Sequence, residues 1–134
     1  MTMKKLLTIC FLCMVVSACK GDDDTTGNEI VGVWRLIQIS VDPGDGSGSF
    51  QNVDTDKTIE FKADGTLISN GSICTVSTET GMNSLGTYSL VDFTITSEDC
   101  VQTELAIRFE LVNSTVIVSY PCIEACREKY VPLE

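Results

Sequence analysis

Histidine is absent from this chain. That one absence excludes a Ser-His-Asp triad, a Cys-His nucleophile pair and imidazole ligation of a metal. Positive charge is scarce and dispersed: beyond Lys4 and Lys5 there are only Lys20, Arg35, Lys57, Lys62, Arg108, Arg127 and Lys129, which form no patch. Against 19 acidic residues they leave a formal charge of −10. This balance argues against nucleic acid and against anionic membrane surfaces as partners. Long apolar runs are also missing. The longest, Leu6 to Val16, has 11 residues, whereas a bilayer-spanning helix takes roughly 20. No segment sustains a helical period, and no repeat of solenoid length occurs.

The amino terminus, by contrast, is highly organised. Lys4 and Lys5 precede the short apolar run, and the small residues Ser17 and Ala18 precede Cys19. These are the parts of a secretory signal peptide. Val16-Ser17-Ala18-Cys19 resembles the lipobox of bacterial lipoproteins. That resemblance implies a cut before Cys19 and attachment of palmitate-type acyl chains to it. Cys10 and Cys13 follow Ile9 and Leu12, so neither has the small residue the peptidase needs. Each buried methylene contributes ~0.8 kcal/mol, so two or three chains hold durably where one holds marginally. Lys20-Gly21-Asp22-Asp23-Asp24 resembles the acidic export signal that follows the anchor cysteine in some surface lipoproteins. The expected organisation is a lipoprotein signal peptide over residues 1–18, an acidic flexible tether over 19–29 and one domain over 30–134. The expected location is the outer membrane, lipid-anchored at the cell surface, with the periplasmic face as the alternative.

Cleavage would leave 116 residues, enough for one small core. It would also leave Cys74, Cys100, Cys122 and Cys126, an even number in an oxidising compartment, where disulfides are the default. Four cysteines allow three pairings. We favour Cys74–Cys100 and Cys122–Cys126, because each closes a loop between or beside expected strands. A zinc site fits poorly, since C-x-x-x-C has neither histidine nor a second C-x-x-C beside it.

Between turn signals the sequence reads as short strands: Ile30–Val41, Lys57–Lys62, Thr66–Ser69, a short one around Ser72–Val76, Gly86–Leu90, Asp92–Thr96, Glu104–Leu111, Thr115–Tyr120 and Glu128–Leu133. "ELAIRFEL" has the clearest alternation, with Leu105, Ile107, Phe109 and Leu111 on one face. Short connections join antiparallel neighbours into a meander. About eight such strands can close into an all-β, up-and-down barrel without exposed edges, and a β-sandwich is the alternative.

The first of these strands contains Gly32-Val33-Trp34 in "IVGVWRL". With "GTYSL" and the strand count, it resembles the lipocalin-like domains of bacterial lipoproteins over roughly residues 30–133. The resemblance implies that Trp34 plugs the closed end of a barrel and that Arg127 or Lys129 packs across its indole. The T-D-Y motif of true lipocalins is absent. A second resemblance, to META-domain envelope proteins, rests on Cys74, Gly86-Thr87-Tyr88 and Cys100 in that order, without the G-C-N signature.

Reactive constellations are few. Glu98-Asp99 read as a solvated turn. Asp54, Asp56 and Glu60 could lie near one another, but an acid-pair glycosidase needs a cleft and long loops that so small a domain hardly provides. "DPGDGSGS", Asp42–Ser49, lacks oxygen ligands at the calcium-loop positions and reads as a lid over the barrel mouth. No enzyme activity, metal or cofactor is expected. The candidate ligand site is the barrel interior, with Trp34, Leu36, Phe61, Tyr88, Phe93, Leu105, Ile107, Phe109, Val116 and Val118 facing inward. The expected function is non-catalytic binding of a small apolar or amphipathic ligand in a pocket that these residues line and that opens near Asp42–Ser49. The alternative is a structural or interaction module of the envelope, its core filled by the same residues, that meets another envelope protein.

Overall fold

A computed structural model of the chain describes residues 25–101 and 105–134. After a six-residue helix, α1 (Thr25–Ile30), the chain forms nine strands: β1 Gly32–Val41, β2 Gln51–Asn52, β3 Thr58–Phe61, β4 Thr66–Ser69, β5 Ser84–Ser89, β6 Thr94–Thr96, β7 Ile107–Val112, β8 Thr115–Tyr120 and β9 Cys126–Pro132. Strands β3 to β9 pair in sequence order, all antiparallel, and β9 returns to pair with β1. The result is a closed, eight-stranded, up-and-down barrel, as the meander of short strands predicts. The two-residue β2 adds to the outer part of β1 through Gln38 and Ile39.

Closure follows from alternation. In β1, Trp34 and Leu36 are buried; in β3, Ile59 and Phe61; in β8, Val116, Val118 and Tyr120. Every second residue therefore leaves the water on the same side of the sheet, and wrapping the sheet buries that side completely. β1 is long enough to serve two neighbours, and a bulge between Leu36 and Gln38 adds the curvature that lets β9 meet it.

Turn chemistry sets the ends. Asn113 and Ser114 both take positive φ, 49° and 60°, in the two-residue link between the paired Val112 and Thr115. Two left-handed residues match the twist of the flanking strands. Gly65 (φ 86°) does the same work after Asp64, whose carboxylate accepts from Thr66 N–H at 2.9 Å. Gly32 has φ 142°, a conformation that side-chain-bearing residues rarely adopt. It turns the chain from α1 into β1, which is a physical reason for glycine in Gly32-Val33-Trp34.

Three readings of the sequence need correction. Ser72–Val76 is irregular, not a strand, because the Cys74–Cys100 disulfide (Cα–Cα 5.2 Å) draws it in over the barrel. β7 starts at Ile107, so the alternation of Glu104–Leu111 overestimates the strand at its start, and Leu105 lies 64% exposed. Thr25–Ile30 is helical where the sequence predicts a tether up to residue 29 and a strand from Ile30, because Ile30 (1% exposed) finds a place under the barrel. The start of that tether, the signal segment and Cys19 lie outside the described residues. Cys122–Cys126 is the second disulfide.

Candidate binding site

The strand directions divide the barrel into two ends. One end carries α1, the turns at 62–65, 90–93 and 113–114, and the end of β9. The other carries the longer connections 42–57, 70–83 and 121–125 together with both disulfides.

The first end is closed by apolar packing. Trp34 (3% exposed) donates from Nε1 to the Ile30 carbonyl at 2.8 Å, tying the plug to α1. Above it, Phe61, Tyr88, Phe93 and Phe109 meet as tilted and edge-on pairs with centroids 5.0 to 6.2 Å apart. Such edge contacts add ~0.5–1.5 kcal/mol per pair beyond burial. Of the residues expected to face inward, Trp34, Leu36, Phe61, Ile107, Phe109, Val116 and Val118 are all buried, and Tyr88 is half-buried. Phe93 reaches the cluster from a turn, at φ 55° and 39% exposure, and Leu105 does not join it.

The expected cation over Trp34 is not there. Arg127 and Lys129 alternate with the inward Glu128 and Tyr130, so both point out of the barrel. They flank the ring of Phe50 at 4.9 and 4.1 Å, on the outer wall that β2 covers.

The second end is shut by charge. Lys57 and Glu128 form an ion pair at 2.8 Å with both side chains at 0% exposure. Glu128 Oε1 also accepts from Ser77 N–H at 2.9 Å, and Oε2 accepts from the hydroxyls of Tyr120 and Tyr130, each at 2.6 Å. Lys57 Nζ completes the set by donating to the Ser77 carbonyl at 2.9 Å. The 70–83 connection is thereby stitched across the barrel, and Thr55 Oγ1 adds a bond to the Thr78 carbonyl. Burial pulls the Lys57 ammonium below its usual range, against the attraction of Glu128. Burial, reinforced by the Glu128 carboxylate, pushes Tyr120 well above its ordinary range; burial does the same to Tyr130, where Tyr120 and Glu128 both add to it.

The sequence patterns considered above do not single out this cluster, although they carry a signal for it. Lys57 shares a face with Ile59 and Phe61, and Glu128 shares one with Tyr130. A lysine and a glutamate at inward positions of two different strands imply a pair, because neither charge can be buried alone.

The Asp42–Ser49 loop is self-contained. Asp42 Oδ1 accepts from Gly44 and Gly46 N–H at 2.8 and 3.1 Å, and Oδ2 from Gly48 N–H at 3.3 Å. These bonds, Gly44 foremost, lower its carboxyl pKa. None of the described cavities is lined by this loop, and one at this end lies elsewhere. It has about 450 Å³ and runs beside the Cys74–Cys100 bridge, between Thr96 and Ser97 on one side and Ala106, Ile107 and Pro121 on the other. Among the described residues, no group of three or more Cys, Asp and Glu is placed to hold a metal ion.

No protein-family model, curated protein or solved structure matches the chain. The barrel, the residues within it and the sequence patterns are therefore the ground for a functional reading.

Proposed function

We propose that the protein is an outer-membrane lipoprotein, held by acyl chains on Cys19, whose barrel is a packed, non-catalytic, lipocalin-like module acting through its surface on another envelope protein. The observation that carries this reading is the Lys57–Glu128 pair, which crosses the interior with neither side chain exposed. A barrel that stores a ligand leaves its axis open; here aromatics fill one half and an ion network the other. The lipobox-like Val16-Ser17-Ala18-Cys19 supports the anchor. Two disulfides support an oxidising compartment.

Cells grown with an alkyne analogue of palmitate test the anchor. The wild-type chain is expected to take up the label and Cys19→Ala to lose it; an unlabelled wild type overturns the lipoprotein reading.

The cavity beside Cys74–Cys100 favours a second reading, in which a small apolar or amphipathic ligand sits at the mouth and not in the interior. At about 450 Å³ it falls within the range of small-molecule sites. Native mass spectrometry of the purified protein separates the two. A retained lipid that Ala106→Trp abolishes establishes the second reading; an empty protein after incubation with a fatty-acid panel leaves the first.

A further inference from the structure

We propose that the barrel stands on the bilayer with its Trp34 end down, so that this end is a lipid-contacting surface and the disulfide-bearing end faces away. The inference rests on the lipid-anchor reading of Cys19, and three observations carry it. The first is where the chain leaves the structure. Thr25 starts α1, which packs against the Trp34 end, and Cys19 lies only six residues earlier. Six extended residues reach about 20 Å at most, so acyl chains on Cys19 hold this end close to the bilayer.

The second observation is apolar exposure. The rim of the same end presents Val31 (39% exposed), Val33 (36%), Val91 (89%), Phe93 (39%), Val112 (39%) and Leu133 (48%). A groove of about 600 Å³ runs between Val31, Val33, Leu111 and Leu133. Val91 projects from the tip of a turn beside the partly exposed Phe93, a form suited to entering the headgroup layer.

The third observation is charge. The opposite end also exposes apolar residues, Val101 and Ile123 among them, but they sit among carboxylates: Asp42, Asp45, Asp54, Asp56, Glu98 and Glu124. Lys57 of that end is consumed in its buried pair, and Arg127 and Lys129 lie against Phe50 on the outer wall. Approach to lipid would strip water from all of these acids and repel any anionic headgroup. Among the described residues the Trp34 end carries fewer acids, Glu29, Glu60, Asp64, Asp92 and Glu134, with Lys62 among them.

Brominated lipid reads the orientation. Val91→Trp and Ile123→Trp, both at exposed sites, are prepared as the full acylated protein. Each is reconstituted into phosphatidylcholine–phosphatidylethanolamine vesicles with and without dibrominated chains. Trp34 gives the same buried background in both. Bromine is expected to quench the added Val91→Trp fluorescence at least twofold and leave Ile123→Trp unchanged. Quenching at Ile123→Trp alone, at both sites or at neither overturns the proposal; the last result hands this end to a protein partner. Flotation of the same vesicles reads the anchor separately. Protein that floats but shows no quenching at Val91→Trp sinks only the orientation, whereas protein that does not float and has no acyl mass on Cys19 sinks the anchor reading too.

Discussion

The two ends of this barrel are closed by opposite means. The Trp34 end is an aromatic and aliphatic plug in which the Trp34 indole N–H donates to the Ile30 carbonyl and the Tyr88 hydroxyl to the Lys62 carbonyl. The disulfide end is closed by Lys57, Glu128, Tyr120, Tyr130 and the Ser77 backbone, with every polar atom of the carboxylate satisfied. An apolar plug tolerates volume-conserving exchange, because nothing in it depends on a single partner. An ion network does not, since losing one member strands the others in low dielectric. The lesson is one of unequal fragility: similar burial, different tolerance.

That contrast is broken most strongly at Lys57. Lys57→Met leaves Glu128 buried without its counter-charge and is expected to cost about 3–5 kcal/mol, read as a fall in the urea midpoint. A loss under 1 kcal/mol would mean that water reaches the carboxylate. Next come the disulfides, both at the same end. Removing Cys74–Cys100, with 26 residues of separation, is expected to cost about 3–4 kcal/mol. Removing Cys122–Cys126, with a separation of 4, should cost about 2 kcal/mol. Equal losses, or the reverse order, would show that loop closure does not govern their contribution. The smallest effect belongs to the plug end. Gly32→Ala forces φ 142° on a residue with a side chain and is expected to cost about 1 kcal/mol, since no atom stands where its Cβ would go. A neutral Gly32→Ala would mean that the corner between α1 and β1 relaxes freely.

Much of the wall could be read from the residues alone. Period-two runs such as Thr115–Tyr120 declare a half-buried strand, and Asp64-Gly65 and Asn113-Ser114 declare turns whose backbone few other residues accept. The favoured cysteine pairing agrees with the structure as well. What escaped was everything set by long-range position. The 70–83 connection has no local period, and only the Cys74 bridge and the Glu128 contacts fix its path. Phe50 finds Arg127 and Lys129 through β2, a two-residue strand too short to leave a pattern. Lys57 and Glu128 lie 71 positions apart. Each looks like an ordinary surface charge until the barrel closes and brings them together. The site was missed for that reason: its residues are charged, and inward positions were searched for apolar ones.

The pH dependence of the fold follows from the same network. Tyr120 and Tyr130 keep their protons well above 10.0, where an unfolded tyrosine loses its own. Above that pH the folded chain holds more protons than the unfolded one, so stability falls as pH rises. Lys57 acts in the opposite sense. Its lowered pKa means that the unfolded chain holds the proton more tightly, so its contribution improves as pH rises toward 10.5. Two tyrosines set against one lysine leave a net loss of stability above pH 10.

The closed interior is tested most directly by alkaline titration of tyrosinate absorbance, followed together with far-ultraviolet circular dichroism. The chain has three tyrosines, and two of them, Tyr120 and Tyr130, lie inside the network. The account predicts that these two ionise only in step with loss of the β spectrum, while the half-buried Tyr88 titrates in the folded state, somewhat above its ordinary range. Three tyrosines ionising near pH 10 with the spectrum intact would mean that water already fills the barrel, and the packed module would have to be given up.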